Sequence, residues 1–422
     1  MKINLSNILF LFTFLFMPLQ LIADSLDHGL KSLHESAPIQ TSGKAVVFDA
    51  GSSGTRVYVY DWEMAKASGE LPAISLKPGR TKKVSPGIAT LSNNVDQILA
   101  YLKPLIDFAK DIVGKDISTT PLYFAGTAGL RLEQQRNPQG YGSVIAKVKE
   151  VLNDSGFKIA REPGPISGQE EGAFAWVAVN SLLKKLPKIL LGEDLGTGIV
   201  EMGGASLQVA FLPAVAPKIK DYVIQLDHKK PLVLYAHSYG DLGQNEARAK
   251  FSNIAYCEWD HDFSNDAKAG DYDKCRADIV RKIIEAEGKE CETCGIGAIF
   301  QPKLDDIAEE FYALGSLGFL SENFGLDVIN AQNLRELGQK ICNVPFSQAA
   351  KSMSGLGGKR ELMETQCFNL AYYSAVLSGN EKVDENGIGF PGNSTKLISK
   401  NKIGSEEVSW TYGLLLLDLA RH

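Results

Sequence analysis

The 422-residue chain contains no run of lysine or arginine: 44 basic residues stand against 50 acidic ones, for a formal charge of −6. Nucleic acid and anionic membrane both call for clustered positive charge, so neither is expected as the main partner. Beyond its N-terminal segment the chain also lacks an apolar run long enough to span a bilayer. Leu414 to Leu417 ends at Asp418, and charge interrupts the rest every few residues. Cysteine is missing from the first 256 residues; all six, Cys257, Cys275, Cys291, Cys294, Cys342 and Cys367, come later. What is present, 44% hydrophobic and 22% charged residues, excludes a disordered or collagen-like chain. At roughly 100–200 residues per domain, the length predicts two or three domains with cores of their own.

The compartment is written at the N-terminus. Lys2 precedes a nearly uncharged stretch from Ile8 to Met17, then Pro18 and the small Ala23, the pattern of a secretory signal. Residues 1–23 are expected to be removed, leaving a soluble protein that is secreted or periplasmic, without stable membrane insertion. The alternative, an uncleaved anchor, meets an apolar run shorter than the roughly 20 residues that cross a bilayer. Residues 24–42 show no sustained period and read as a leader. In an exported chain an even cysteine count reads as three disulfides. Cys291-Glu-Thr-Cys294 also fits a redox pair or half of a zinc site, but without a second CxxC or a neighbouring histidine the structural role is favoured.

Strands alternate with helices, so the fold class is α/β. Ala45 to Phe48 reads as a buried strand, Asp49 to Gly54 as a tight turn, and Arg56 to Asp61 as a second strand, together a hairpin. Apolar residues at helical spacing between Leu91 and Val113, and again between Tyr141 and Leu152, predict two amphipathic helices. The segment from Gly198 to Phe211 repeats the grammar of the first hairpin: apolar strand, one acid, a Gly/Ala/Ser turn, apolar strand. Asp49 and Glu201 then stand about one domain length apart, which implies a duplicated fold facing itself across a cleft.

Such turns suit polyphosphate. Glycine lets backbone N–H groups approach an anion, and hydroxyls add donors, so Ser52, Ser53, Gly54 and Thr55 from one turn and Gly203, Gly204, Ala205 and Ser206 from the other are candidate phosphate ligands. Neither turn contains lysine, which excludes a Walker-type loop and requires another cation. Asp49 and Glu201 at the strand ends suit Mg²⁺ or Ca²⁺, hard ions that take oxygen ligands. After the break Gly164 to Gly168, Ser167 can cap a helix carrying Glu170 and Glu171 in its first turn. The two glutamates read either as capping and dipole residues or, for a carboxylate at the cleft, as a general base toward water. Leu122 to Arg131 reads as a strand entering a Gly-Thr-Ala-Gly turn, with Thr127 offering a hydroxyl. Arg131 reads as a phosphate guide or as one half of a surface ion pair.

Together these elements resemble the apyrases, the nucleoside triphosphate diphosphohydrolases of the actin-like/Hsp70-like ATPase superfamily. In order they are Asp49-Ala-Gly-Ser-Ser-Gly-Thr-Arg56, Ala125-Gly-Thr-Ala-Gly-Leu-Arg131, Ser167-Gly-Gln-Glu-Glu-Gly172, Glu201-Met-Gly-Gly-Ala-Ser-Leu-Gln208 and Ser409-Trp-Thr-Tyr-Gly413, with His237-Ser-Tyr239 besides. The resemblance implies two similar actin-like/RNase H-like lobes, each a mixed sheet flanked by helices, with the active site in the cleft between them. Residues 43–166 plus 406–422 would form lobe I, and residues 167–405, carrying all the cysteines, lobe II. It implies a protein that binds nucleoside tri- and diphosphates and hydrolyses their terminal phosphate with a divalent cation, Mg²⁺, Ca²⁺ or Mn²⁺; a monomer is expected.

By motif, Glu171 matches the catalytic base, Ser206 and Gln208 the pair that positions water, and Asp49 and Glu201 the acids that hold the metal through its waters. Ser52, Gly54 and Thr127 match phosphate contacts. The chain departs from the family in carrying Glu201 where most members have aspartate, and Gly54 where some animal members have histidine. The resemblance further implies disulfides Cys257–Cys291, Cys275–Cys294 and Cys342–Cys367, and a nucleobase stacked near Phe311 to Phe319 and Cys367 to Tyr373. Within the latter, Tyr372 and Tyr373 read equally as the buried face of a helix. The alternatives are a polyphosphate or guanosine pentaphosphate phosphatase of the same superfamily, and a nucleotide-binding module without catalysis. A thiol oxidoreductase built on Cys291 and Cys294 lacks the strand-to-helix setting such a pair requires.

Overall fold

The computed structural model describes residues 41–65, 70–214, 222–224, 231–250, 256–259, 270–284, 295–302, 304, 310–378, 387–390 and 395–421. The signal-like segment, nearly all of the leader, Cys291 and Cys294 lie outside them. The first sheet is built from β1 (Ser42–Gly51), β2 (Gly54–Glu63), β3 (Ala73–Ser75) and β4 (Thr81–Val84). Helix α1 (Ile98–Val113) follows, then β5 (Pro121–Gly126), α2 (Ala128–Arg136), α3 (Pro138–Asn153), β6 (Lys158–Ile159) and β7 (Gly164–Pro165). Its order is β3-β2-β1-β5-β6, with β4 beside β2 and β7 beside β5. The expected hairpin is present but tighter than the sequence pattern suggests. β1 runs on through Asp49 to Gly51, and only Ser52 and Ser53 turn, so Asp49 sits on the strand opposite Arg56.

Helix α4 (Gly168–Leu182) leads to the second sheet: β8 (Gly198–Met202), β9 (Ser206–Phe211), β10 (Tyr222–Ile224) and β11 (Leu232–Gly240), then α5 (Gln244–Lys250), α6 (Tyr272–Ile279), β12 (Glu310–Gly315), β13 (Val328–Ile329), α7 (Ala331–Cys342), α8 (Gln366–Leu377) and β14 (Lys396–Ser399). Its order is β10-β11-β9-β8-β12-β14-β13. The predicted repetition extends to the register. In each sheet an antiparallel hairpin gives its first strand a parallel neighbour, Asp49 lying between Arg56 and Ala125 and Glu201 between Gln208 and Leu314.

Strand alternation assigns the faces. Val46 and Phe48 pack against the apolar stripes of α1 and α3, including Leu102, Leu105 and Val148. Ala45 and Val47 face the other way, into a layer shared with Ile199 and Ala210 of the second sheet. Two helices fill that layer, α4 and the C-terminal α9 (Trp410–Leu419), and their sequences explain why. α4 is buried without interruption from Gly172 to Asn180 and α9 from Trp410 to Leu417, as befits helices apolar all round. They meet at Gly413, where a Cβ would stand 1.9 Å from the Phe174 carbonyl oxygen. On the far side of the second sheet, α6, α7 and α8 cover a third core around Phe311 and Tyr372.

Two disulfides are described, Cys257–Cys275 and Cys342–Cys367. The second is the expected pair. The first replaces the expected Cys257–Cys291 and Cys275–Cys294, because the Asp271 amide donates to the Tyr256 carbonyl at 2.9 Å and draws the start of α6 alongside Cys257.

Candidate active site

The face that carries Ala45 and Val47 also carries Asp49, and the face that carries Ile199 and Ala210 also carries Glu201, Ser206 and Gln208. Both sheets therefore point their polar strand ends toward the start of α4. Ser167 and Glu170 form a capping box there: the Glu170 amide donates to Ser167 Oγ at 3.1 Å, and the Ser167 amide to Glu170 Oε2 at 2.8 Å. Glu170 also pairs with Arg161 at 3.3 Å. The two readings of the glutamates thus divide between them, Glu170 closing the helix end and Glu171 entering the site.

Glu171 is buried at 7% exposure. Its Oε2 accepts from Arg131 Nη2 at 2.9 Å and from Gln208 Nε2 at 3.4 Å. Gln208 Nε2 also lies 2.5 Å from Ser206 Oγ and 3.1 Å from Ser238 Oγ, while Arg131 Nη2 reaches Ser206 Oγ at 3.3 Å. Arg131 is fixed from behind by the Ile166 carbonyl at 3.0 Å. The partner of Arg131 is therefore Glu171 inside the cleft, and neither surface pairing nor phosphate alone accounts for it. Ser238, from the His237-Ser-Tyr239 segment, joins the network because β11 pairs it with Gln208.

Three acceptor oxygens of this group, Asp49 Oδ1, Glu201 Oε2 and Gln208 Oε1, are buried without a hydrogen-bond partner. Burial, with the charge of Glu171 adding to it, pushes Asp49 up to about 7. Burial, then Glu171 and Asp49, pushes Glu201 up to about 8. Burial also raises Glu171, against the opposing pull of Arg131. Two buried carboxylate oxygens without a partner, beside a third acid that raises both groups, are a donor set suited to a hard cation. Among the described residues no third His, Cys, Asp or Glu completes a metal-ligand cluster with them.

The two glycine turns face each other closely. A Cβ on Gly204 would stand 2.6 Å from Ser52 Oγ, so a side chain there would fill the gap between them. Ser53 lies at the turn and Gly54 starts β2. Gly203 closes the second turn by donating to the Ser206 carbonyl at 3.0 Å, and Ala205 packs with Ala128 and Leu132 of α2. Thr127 precedes α2, its amide bound to the Ala50 carbonyl at 3.1 Å. Thr55 is not brought to the cleft: it is fully buried on the opposite face, where Tyr101 OH donates to its Oγ1 at 3.0 Å. Beside Arg131 and Ser238 opens a cavity of about 280 Å³, lined also by Ala128, Gln169 and Ala205. Tyr372 and Tyr373 are core residues of α8, their hydroxyls bound to Leu242 and Gln244. Phe319, by contrast, is half exposed just beyond β12.

A two-sheet α/β fold with a buried carboxylate and two glycine turns converging between the sheets defines a class of phosphate-handling proteins. Within it, the chain belongs to the GDA1/CD39 (nucleoside phosphatase) family, whose model matches residues 40–267 and 252–422. Ectonucleoside triphosphate diphosphohydrolase 1 of Bos taurus is 25% identical over 427 residues, covering 88% of this chain and 80% of its own. Probable apyrase 4 of Arabidopsis thaliana is 28% identical over 433 residues, covering 89% and 79%. In fold, the chain is similar to a nucleoside triphosphate hydrolase from Neospora caninum, with a TM-score of 0.52 at 14% identity over 96% of this chain and 98% of that one. The resemblance to the apyrases and the two-lobed fold it implied are both borne out.

Proposed function

We propose that the chain is an exported apyrase that hydrolyses the terminal phosphate of nucleoside tri- and diphosphates by direct in-line attack of water. The observation that carries this reading is the position of Glu171: a buried carboxylate bound to Gln208 and Arg131, opposite the unpartnered oxygens of Asp49 and Glu201. Ser52, Ser53 and Gly54 on one side and Gly203, Gly204 and Ala205 on the other grip the polyphosphate, with Thr127 at the start of α2. Ser206 and Gln208 hold the water, the free Gln208 oxygen accepting a hydrogen bond from one of its protons. Glu171 takes the other as the oxygen attacks phosphorus, and burial, which raises its pKa, makes it a stronger base than an exposed glutamate. Asp49 and Glu201 hold a divalent cation, which when bound neutralises phosphate charge and polarises the terminal group. Phosphoryl transfer needs this positioning and neutralisation more than a protein nucleophile.

In this reading residues 43–166 plus 406–422 form one lobe and residues 167–405 the other, the protein is a monomer, and Phe319 is the aromatic left free to stack on a base. Residues 1–23 direct export, consistent with the two disulfides, and among the described residues no helix is long and apolar enough to cross a membrane. The test is phosphate release from ATP, ADP, GTP and inorganic polyphosphate, with Mg²⁺ and with EDTA. Metal-dependent release from both tri- and diphosphates is expected. Release from polyphosphate alone would assign the chain to the sister phosphatases, and nucleotide binding without release would leave a binding module.

A further inference from the structure

Neither glycine turn contains a lysine, but the first sheet brings one to them from another strand. Asp49 pairs across the sheet with Arg56, and Arg56 with Lys83 of β4, so the three side chains share a face. It is the face that Asp49 turns to the cleft. Lys83 Nζ donates to Ser53 Oγ at 3.2 Å, at the tip of the first turn. Its stem lies over Gly54: a Cβ there would stand 2.6 Å from Lys83 Cε. The Val84 carbonyl oxygen is closer still, at 2.4 Å, so the strand backbone also requires the glycine, and the lysine stem lies beside it.

The neighbouring cation is already matched, since Arg56 forms an ion pair with Glu407 at 2.5 Å. Lys83 is exposed and, among the described residues, makes its hydrogen bond to a neutral hydroxyl and pairs with no carboxylate. An ammonium has three donors, so two remain for an incoming anion. We propose that Lys83 is a substrate-binding residue whose ammonium grips nonbridging oxygens of the polyphosphate held by the Ser52 to Gly54 turn. This rests on the phosphohydrolase reading above, and it supplies the positive side chain that the turns themselves lack.

The test compares Lys83→Met and Lys83→Arg with Lys82→Met, a control whose ammonium lies 5.8 Å from the Phe108 ring centre. Each is assayed for ATP turnover with Mg²⁺ and, in a Glu171→Gln background, titrated with MgATP by calorimetry. A charged hydrogen bond of ordinary strength predicts that Lys83→Met raises KM and weakens binding by about tenfold or more, with kcat within about threefold. Lys83→Arg should recover most of the loss, the affinity of Lys83→Met should fall less steeply with salt, and Lys82→Met should match wild type. Unchanged KM and MgATP affinity in Lys83→Met would overturn the assignment while leaving the phosphohydrolase reading intact. Absence of turnover in the otherwise wild-type protein would overturn that reading instead, and the MgATP titration would still decide the role of the lysine.

Discussion

Asp49 and Glu201 make the metal-free protein lose stability as pH rises. Asp49 ionises at about 7 instead of 3.8 and Glu201 at about 8 instead of 4.5. Both folded values lie above the unfolded ones, so the native state keeps protons that the unfolded chain releases. The stabilisation is complete below about pH 4 and is lost as pH climbs through 7 and 8. Taken alone, the displacement of Asp49 is worth about 4 kcal/mol and that of Glu201 about 5 kcal/mol. The charge of Glu171 enters both values and that of Asp49 enters the value of Glu201, so the two titrations are coupled, and both residues are only partly buried, so a combined loss of about 3 kcal/mol is expected. With an unfolding entropy of about 0.8 kcal/mol/K for a chain this size, the melting temperature falls by about 4 °C between about pH 5 and pH 9.

Thermal unfolding in EDTA, followed by circular dichroism across that range, reads the slope directly. The double variant Asp49→Asn/Glu201→Gln should flatten it and melt above wild type at high pH. Adding Mg²⁺ should raise the melting temperature of wild type, more at about pH 9 than at about pH 5, and should leave the double variant unmoved. A metal-free melting temperature that rises with pH, or a slope unchanged in the double variant, would refute the reasoning.

Removing Arg131 takes away the charge that opposes burial at Glu171. Arg131→Gln should therefore move the acid limb of the kcat profile to higher pH, and a limb that stays in place would contradict the ion pair's role. Gly413→Ala forces a methyl group onto the Phe174 carbonyl between α4 and α9. It should cost about 2–3 kcal/mol, read as a lower urea midpoint, and an unchanged midpoint would contradict the close helix contact.

The parts of this molecule that were legible in the sequence are those coded locally. The two hairpins, their matching acids and the capped start of α4 each announce themselves within about a dozen residues. Their family motifs also arrive in order. What was hidden depends on partners distant in the chain. Strand pairing carries β1 past Asp49, and it turns Thr55 away from the cleft toward Tyr101. The division of labour between Glu170 and Glu171 follows from the direction each faces on the first helical turn. The partner of Arg131 lies forty positions away, and Lys83 reaches the first turn only through the register of β4 with β2. The pairing of Cys257 with Cys275 follows from a backbone contact between Tyr256 and Asp271 that no cysteine spacing reveals.

The central claim is that Glu171 acts as the base. Glu171→Gln keeps the shape of the side chain and removes its ability to take a proton. Steady-state ATP hydrolysis with Mg²⁺ should show kcat reduced by about 10²–10⁴ with KM within about threefold of wild type. A kcat within about tenfold of wild type would contradict the account.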